Sequence, residues 1–205
     1  MKKYIKVCGM RDAKNIESLA ELSPDFMGFI FYPKSPRYVG EIEIPKLPEN
    51  IKKIGVFVKK SITEVLKIAE KHDLNGVQLH SDETPEFCAE IKKTGLLVIK
   101  AFAVDSAFDF EELKSFEDHV DYFLFDTKGD GYGGHGTSFD WDILKGYTLN
   151  KPFFVAGGVS NDNIGKLLKL DHPMFRGVDV NSKYEISPGL KDIEALKQLF
   201  LTIRT

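Results

Sequence analysis

Cysteine is nearly missing from this 205-residue chain, which holds only Cys8 and Cys88, in different expected elements. Two scattered thiols make no disulfide framework, so a buried core must hold the fold, and a reducing compartment suits them. An excess of charge of one sign is also lacking. The 28 Lys and Arg against 31 Asp and Glu leave a formal net charge of −3. No global field therefore draws the chain to nucleic acid or to an anionic membrane, and any bound anion must be held by local geometry. No long apolar run follows the lysines of Met1-Lys2-Lys3-Tyr4-Ile5-Lys6, and no stretch reads as a membrane span. The expectation is a cytoplasmic protein without signal peptide or transmembrane segment. His72, His80, His119, His135 and His172 show neither HxxxH spacing nor a nearby CxxC, so no metal centre is expected.

What the chain does have is alternation. Short apolar segments at 4–8, 26–31, 53–58, 76–79, 97–102, 121–125, 153–156 and 176–180 read as strands. Amphipathic patterns at 12–22, 62–72, 84–94, 106–117, 140–146, 161–170 and 190–203 read as helices between them. Start signals support several. Ser61 with Glu64 three residues on makes a capping box, Asp82-Glu83-Thr84-Pro85 supplies a cap and a first-turn proline, and Ser160-Asn161-Asp162 caps the helix carrying Ile164, Leu167 and Leu168. Pro45 and Pro48 argue against a regular helix in the second crossover. Eight strands at roughly 25-residue spacing, with no linker and no break in the alternation, predict a single-domain (β/α)8 barrel over residues 1–205 with an irregular second crossover. A doubly wound open sheet is the alternative.

In such a barrel, ligands and catalytic groups collect just after each strand. Those positions hold Cys8, the 32–38 loop with Arg37, Lys59, His80, Phe102, Asp126, Gly157-Gly158 and Asn181-Ser182. A thiol at one strand end and a carboxylic acid at another form a candidate proton-transfer pair, with Lys6 sharing the face of Cys8. Read alone, Cys8 is more often an inert buried residue than a catalyst, Asp126 fits a cap or ion-pair partner, and His80 a satisfied strand-end histidine. The consecutive glycines let backbone approach an anion, and a short turn after Val178-Asp179-Val180 would aim N–H groups at the same point. A tight packing turn explains Gly-Gly alone. Arg37, in a proline-stiffened loop, suits a carboxylate or phosphate, or solvent. Gly129 to Gly136 contains a GxGxxG string without the strand–helix context of a dinucleotide site, and a lid explains its composition better. Lys100, inside the fifth strand, leaves a Schiff-base aldolase open.

Taken in order, these segments resemble the phosphoribosylanthranilate isomerase family of tryptophan biosynthesis. The marks are Lys6-Val7-Cys8-Gly9-Met10, Ser35-Pro36-Arg37-Tyr38, Gly55-Val56-Phe57-Val58, Val77-Gln78-Leu79-His80, Phe125-Asp126, Gly133-Gly134-His135-Gly136 with Phe139-Asp140-Trp141, Ala156-Gly157-Gly158, and Val178-Asp179-Val180-Asn181-Ser182 with Ser187-Pro188-Gly189. Each is weak alone, and their joint order is specific. The resemblance implies a (β/α)8 barrel without metal or organic cofactor. It implies an Amadori rearrangement of a phosphorylated aminosugar, N-(5'-phosphoribosyl)anthranilate, to 1-(2-carboxyphenylamino)-1-deoxyribulose 5-phosphate, by a monomer or homodimer. By position Cys8 matches the general base and Asp126 the general acid. Arg37 matches the residue facing the anthranilate carboxylate. Gly157, Gly158 and the Asn181-Ser182 turn match the phosphate cradle, and His80 and Asp179 are further substrate-binding candidates. The acid must stay protonated near neutrality, which calls for an environment that raises its pKa.

The chain departs from the family where Asn181-Ser182-Lys183 replaces a common Ser-Ser-Gly, and where His135 replaces a common threonine. Neither touches Cys8 or Asp126. A sister sugar-phosphate isomerase of histidine biosynthesis, the Lys100 aldolase and a non-enzymatic phospholigand-binding scaffold are the rivals. Cys8 argues against the first, which usually carries aspartate there.

Overall fold

The computed structural model describes residues 2–127 and 140–205. The glycine-rich stretch 129–136, with its lid reading and His135, lies outside the described residues. Eight parallel strands close into a barrel in sequence order: β1 (Tyr4–Cys8), β2 (Phe26–Ile30), β3 (Lys52–Phe57), β4 (Gly76–Leu79), β5 (Leu97–Val104), β6 (Tyr122–Thr127), β7 (Phe153–Val155) and β8 (Phe175–Val180). β1 pairs with both β2 and β8, with Lys6 opposite Asp179, so the open-sheet alternative falls away. A two-stranded hairpin, β9 (Glu185–Ser187) and β10 (Leu190–Lys191), follows β8. Among the described residues no helix is long and apolar enough to cross a membrane.

The barrel's two faces bury different chemistry. Outward residues such as Val7, Phe29, Val77, Phe123 and Val178 form the large core between strands and surrounding helices. Inward residues form a second cluster: Phe26, Ile54, Ile99, Ala101, Leu124, Phe154 and Ala156, with Tyr4, Leu97 and Tyr122 packed against them. The rings of Tyr4, Phe26, Tyr122 and Phe154 meet at centroid distances of 5.1–6.4 Å. Tyr4, Phe26 and Tyr122 begin their strands and Phe154 is second in its own, so they plug the barrel's lower end. Each such ring contributes a few kcal/mol through burial, on the order of 3–5 kcal/mol lost on truncation to alanine. The polar groups of the site rest on this apolar floor.

The expected helix starts hold at α1 (Ala13–Glu21), α2 (Ile62–Lys71) and α3 (Pro85–Lys92). The Ser61–Glu64 capping box forms, and Thr84 caps α3 with Pro85 in its first turn. No helix occupies the second crossover, as its prolines require.

Three expected helices change. Residues 106–117 are expected as an α-helix, yet a 3-10 helix runs over Phe110–His119. Asp105 and Asp109 explain the late start, because their carboxylates take the backbone N–H two residues on at 3.0 and 2.9 Å, which competes with helix formation. Residues 140–146 likewise give a 3-10 helix, Trp141–Gly146, capped by Asp140. The 161–170 pattern shrinks to α4 (Ile164–Leu167), and Ser160, Asn161 and Asp162 do not cap it by side chain. Its flanking residue Asn163 is drawn into the loop after β7. The final helix, α5 (Ile193–Arg204), starts at the Asp192 cap, after residues 190–191 have joined the hairpin.

Candidate active site

All nine sequence-predicted site residues reach one open cavity at the carboxyl end of the barrel. Cys8, Arg37, His80 and Asp126 line it from four strand ends, and Gly157, Gly158, Asp179, Asn181 and Ser182 form the far wall. Lys59 and Phe102, which follow strands in the same way, are not part of the lining. Phe102 turns outward onto Phe116 and Phe123.

The thiol sits in a fitted place. A Cβ on Gly28, across the β1–β2 pair, would stand 2.8 Å from Cys8 Sγ, so glycine is what leaves room for the sulfur. Directly beneath lies a buried ion pair, Lys6 Nζ to Asp179 Oδ2 at 2.6 Å. The Cys8 sulfur lies on the same inward face of β1, and Lys6 favours its ionised form. Burial pulls the Lys6 ammonium down, but Asp179 and Cys8 together outweigh it, so Lys6 stays protonated. Burial pushes the Cys8 thiol up, with Asp179 adding to the rise while Lys6 and Lys191 oppose it. Asp179 Oδ1 has no hydrogen-bond partner among the described residues.

Across the cavity, Asp126 Oδ1 accepts from the Thr127 N–H at 2.8 Å. Its Oδ2 stands 3.7 Å from His80 Nε2. Burial drives His80 down to about 4, with Lys100 and Lys6 adding to the shift. A neutral imidazole gives the Asp126 carboxylate no cationic support. Gln78 Nε2 donates to His80 Nδ1 at 3.3 Å, which leaves the ring proton on Nε2, facing Asp126. Gln78 was missed in the sequence because it reads as an ordinary strand residue.

The wall after β7 is backbone. Gly157 and Gly158 have φ of +75° and +67°, a region that disfavours side chains. A Cβ on Gly157 would also collide with Thr127 Oγ1, Thr127 N and Asp126 Oδ1. Asn163 stitches this loop: its Nδ2 donates to Gly158 O and its Oδ1 accepts from Ser160 N, both at 2.8 Å. After β8, a single 3-10 turn, Ser182–Tyr184, brings Ser182 and Lys183 to the same wall, as the short-turn expectation required.

A family model described as N-(5'phosphoribosyl)anthranilate (PRA) isomerase matches residues 5–202. The chain belongs to this isomerase family. It is 43% identical over 204 residues to an N-(5'-phosphoribosyl)anthranilate isomerase of Parabacteroides distasonis, covering 97% of this chain and 92% of that one. It superposes on the phosphoribosyl anthranilate isomerase of Thermotoga maritima with TM-score 0.86 at 32% identity, covering 98% of each chain. A phosphoribosyl anthranilate isomerase in complex with reduced 1-(o-carboxyphenylamino)-1-deoxyribulose 5-phosphate superposes with TM-score 0.84 at 30% identity, again over 98% of each.

Two candidates behave differently from their sequence reading. Arg37 lines the cavity of this PRA isomerase family member, yet it is no solvated loop arginine. Its Nε lies 2.9 Å from both oxygens of Glu185, and Nη2 donates to Oε2 at 2.7 Å. Lys191 Nζ donates to the same carboxylate and to Asn181 Oδ1, each at 2.7 Å. Burial works against the Glu185 carboxylate, but Arg37, Lys191 and the Gly189 N–H outweigh it and hold its pKa below the usual range. Glu185 and Lys191 had no signal in the sequence, being ordinary charged residues after the last strand.

Lys100 is the other. Ile99 and Ala101 point inward, so Lys100 points outward, where its Nζ donates to Ser81 O at 2.5 Å and Ala101 O at 3.2 Å and pairs with Glu83 at 3.2 Å. It is buried away from the cavity, which removes the observation that favoured an aldolase.

Proposed function

We propose that this chain is an N-(5'-phosphoribosyl)anthranilate isomerase that carries out an Amadori rearrangement to 1-(2-carboxyphenylamino)-1-deoxyribulose 5-phosphate. Residues 1–205 act as one (β/α)8 catalytic domain in the cytoplasm, as a monomer or homodimer, without a cofactor. The observation that carries the reading is the convergence of the Cys8 sulfur, the Asp126 carboxyl and the Gly157-Gly158 backbone on one cavity. The solved relative that holds the reduced reaction product supports it.

The substrate is a furanose whose C1 bears the anthranilate nitrogen. Asp126, as a protonated acid, gives its proton to the ring oxygen, and the ring opens to an iminium. The iminium acidifies the proton on C2. Cys8, as thiolate, takes that proton, and the C–H electron pair forms the C1–C2 double bond of an enolamine, which tautomerises to the ketone. The neutral His80 beside Asp126 supports its acid role, because an imidazolium there would favour the carboxylate. Phosphate docks on the Gly157-Gly158 backbone with Asn181 and Ser182, and Arg37 faces the carboxylate. Asp179 Oδ1 is placed to accept from a sugar hydroxyl. Two anchored ends hold the sugar between acid and base.

Turnover is followed by loss of substrate fluorescence. Cys8→Ser and Asp126→Asn should each lower kcat by about 100-fold or more, in line with loss of a positioned acid or base. Wild-type rates in both would refute the roles, and binding without turnover would favour the scaffold reading.

A further inference from the structure

We propose that the buried Lys6–Asp179 pair is a positioning device for the thiol: Lys6 stabilises the Cys8 sulfur as an anion, and Asp179 limits how strongly it does so. The inference rests on Cys8 acting as the base. The groups lie in one stack. Lys6 and Cys8 are two residues apart on β1 and share its inward face, and Lys6 and Asp179 are opposite each other in the β1–β8 register. Lys6 is fully buried with no route for its charge to reach water, and its ammonium contacts Asp179 beneath the face that it shares with Cys8. Isolated buried ammonium groups give up their proton, and a carboxylate at 2.6 Å prevents that.

The charges facing Cys8 come from every side. Lys6 on β1 and Lys191 on β10 favour the thiolate, and Asp179 on β8 opposes it. Asp126 and the neutral His80 share the cavity beyond. Arg37 and Glu185 largely cancel each other at the rim. Lys6 is therefore the largest charge favouring the thiolate, and Asp179 offsets part of it. Burial leaves the thiol above its ordinary range even with the pair in place, and without Lys6 it would rise further. When Cys8 ionises, its proton leaves to solvent, and the anion formed replaces part of the Asp179 interaction at Lys6.

The pair makes opposite predictions for two variants, which a purely structural ion pair does not. In Lys6→Met/Asp179→Asn both charges go, and replacing a buried pair by uncharged side chains generally preserves folding. The thiol pKa should rise by about one unit or more. In Asp179→Asn, the sulfur is the anion left to hold Lys6 in its protonated form, so ionisation of the thiol is coupled to the charge on Lys6 and the thiol pKa should fall. The readout is the 13Cβ resonance of labelled cysteine against pH. Cys88, pushed up to about 12 by burial, does not titrate in the range read. The acid limb of kcat/KM is recorded in parallel and should move with the thiol.

An unchanged thiol pKa in the double variant, or shifts of the same sign in both variants, overturns the proposal. Opposite shifts in thiol pKa with an unmoved kcat/KM profile uphold the pair and refute instead the role of Cys8 as base.

Discussion

Gly157→Ala tests whether the loop after β7 places the acid. Gly157 has φ of +75°, so alanine there carries a backbone penalty of about 1 kcal/mol. The new methyl would also lie 2.6 Å from Thr127 N and 2.7 Å from Asp126 Oδ1. Ordinary contact needs roughly half an ångström or more beyond that, so the Thr127 side chain, whose Oγ1 is nearer still, and the Asp126 carboxyl must both move. A misplacement approaching 1 Å costs a reacting group about 100-fold.

Gly95→Ala separates the two effects. Gly95 has φ of +85° with nothing within 4 Å of the added carbon, and it lies between α3 and β5, at the opposite end of the barrel. It should lose the same ~1 kcal/mol, a fall in Tm of about 2–4 °C, with unchanged kcat/KM. Gly157→Ala should lose at least as much stability and about 100-fold in kcat/KM. Thermal melts and steady-state fluorescence decide. A Gly157→Ala enzyme within twofold of wild type, with stability matching Gly95→Ala, would show that this loop does not position Asp126.

Gly28→Ala should lower kcat by roughly tenfold with little change in KM, because its methyl would meet Cys8 Sγ at 2.8 Å and displace the base without touching a substrate anchor; steady-state kinetics check it. Glu185→Ala should destabilise by about 3–5 kcal/mol, measured by urea unfolding, since it strips the counter-ion from buried Lys191 and from Arg37 together. His80 should titrate near 4 in imidazole NMR. Its unfolded form binds a proton near 6.5, so stability should rise with pH through the window from about 4 to 6.5 and be flat for this group on either side; a measured His80 pKa at or above 6.5 would contradict the buried neutral ring.

The barrel was legible because each strand is buried on both faces and therefore reads as a short apolar run, while the spacing between runs fits a crossover. The crossovers were less so. Residues 106–117 and 161–170 carry helical periodicity, yet Asp105 and Asp109 bind their own backbone and Asn163 braces the Gly158 loop. Periodicity reports which face is buried. It does not report that a polar side chain has taken a backbone group that the helix would use.

The same limit separates what the site showed from what it hid. Cys8, Asp126 and the Gly157-Gly158 pair stand at strand ends, and a closed parallel barrel sends all strand ends to one rim, so topology alone brings them together. Partners are another matter. Arg37 meets Glu185 from 148 residues away, and Lys6 meets Asp179 from 173. Each member reads as a plain charged residue until closure of the barrel puts β8 and the hairpin after it against β1. In β1 itself, Lys6 breaks an apolar run facing a barrel interior where no water can solvate an ammonium. An inward lysine on a doubly buried strand thus requires a carboxylate on a neighbouring strand. Asp179, the inward acid of β8, meets that requirement, and it places the compensated charge directly under the thiol, where it changes that group's chemistry.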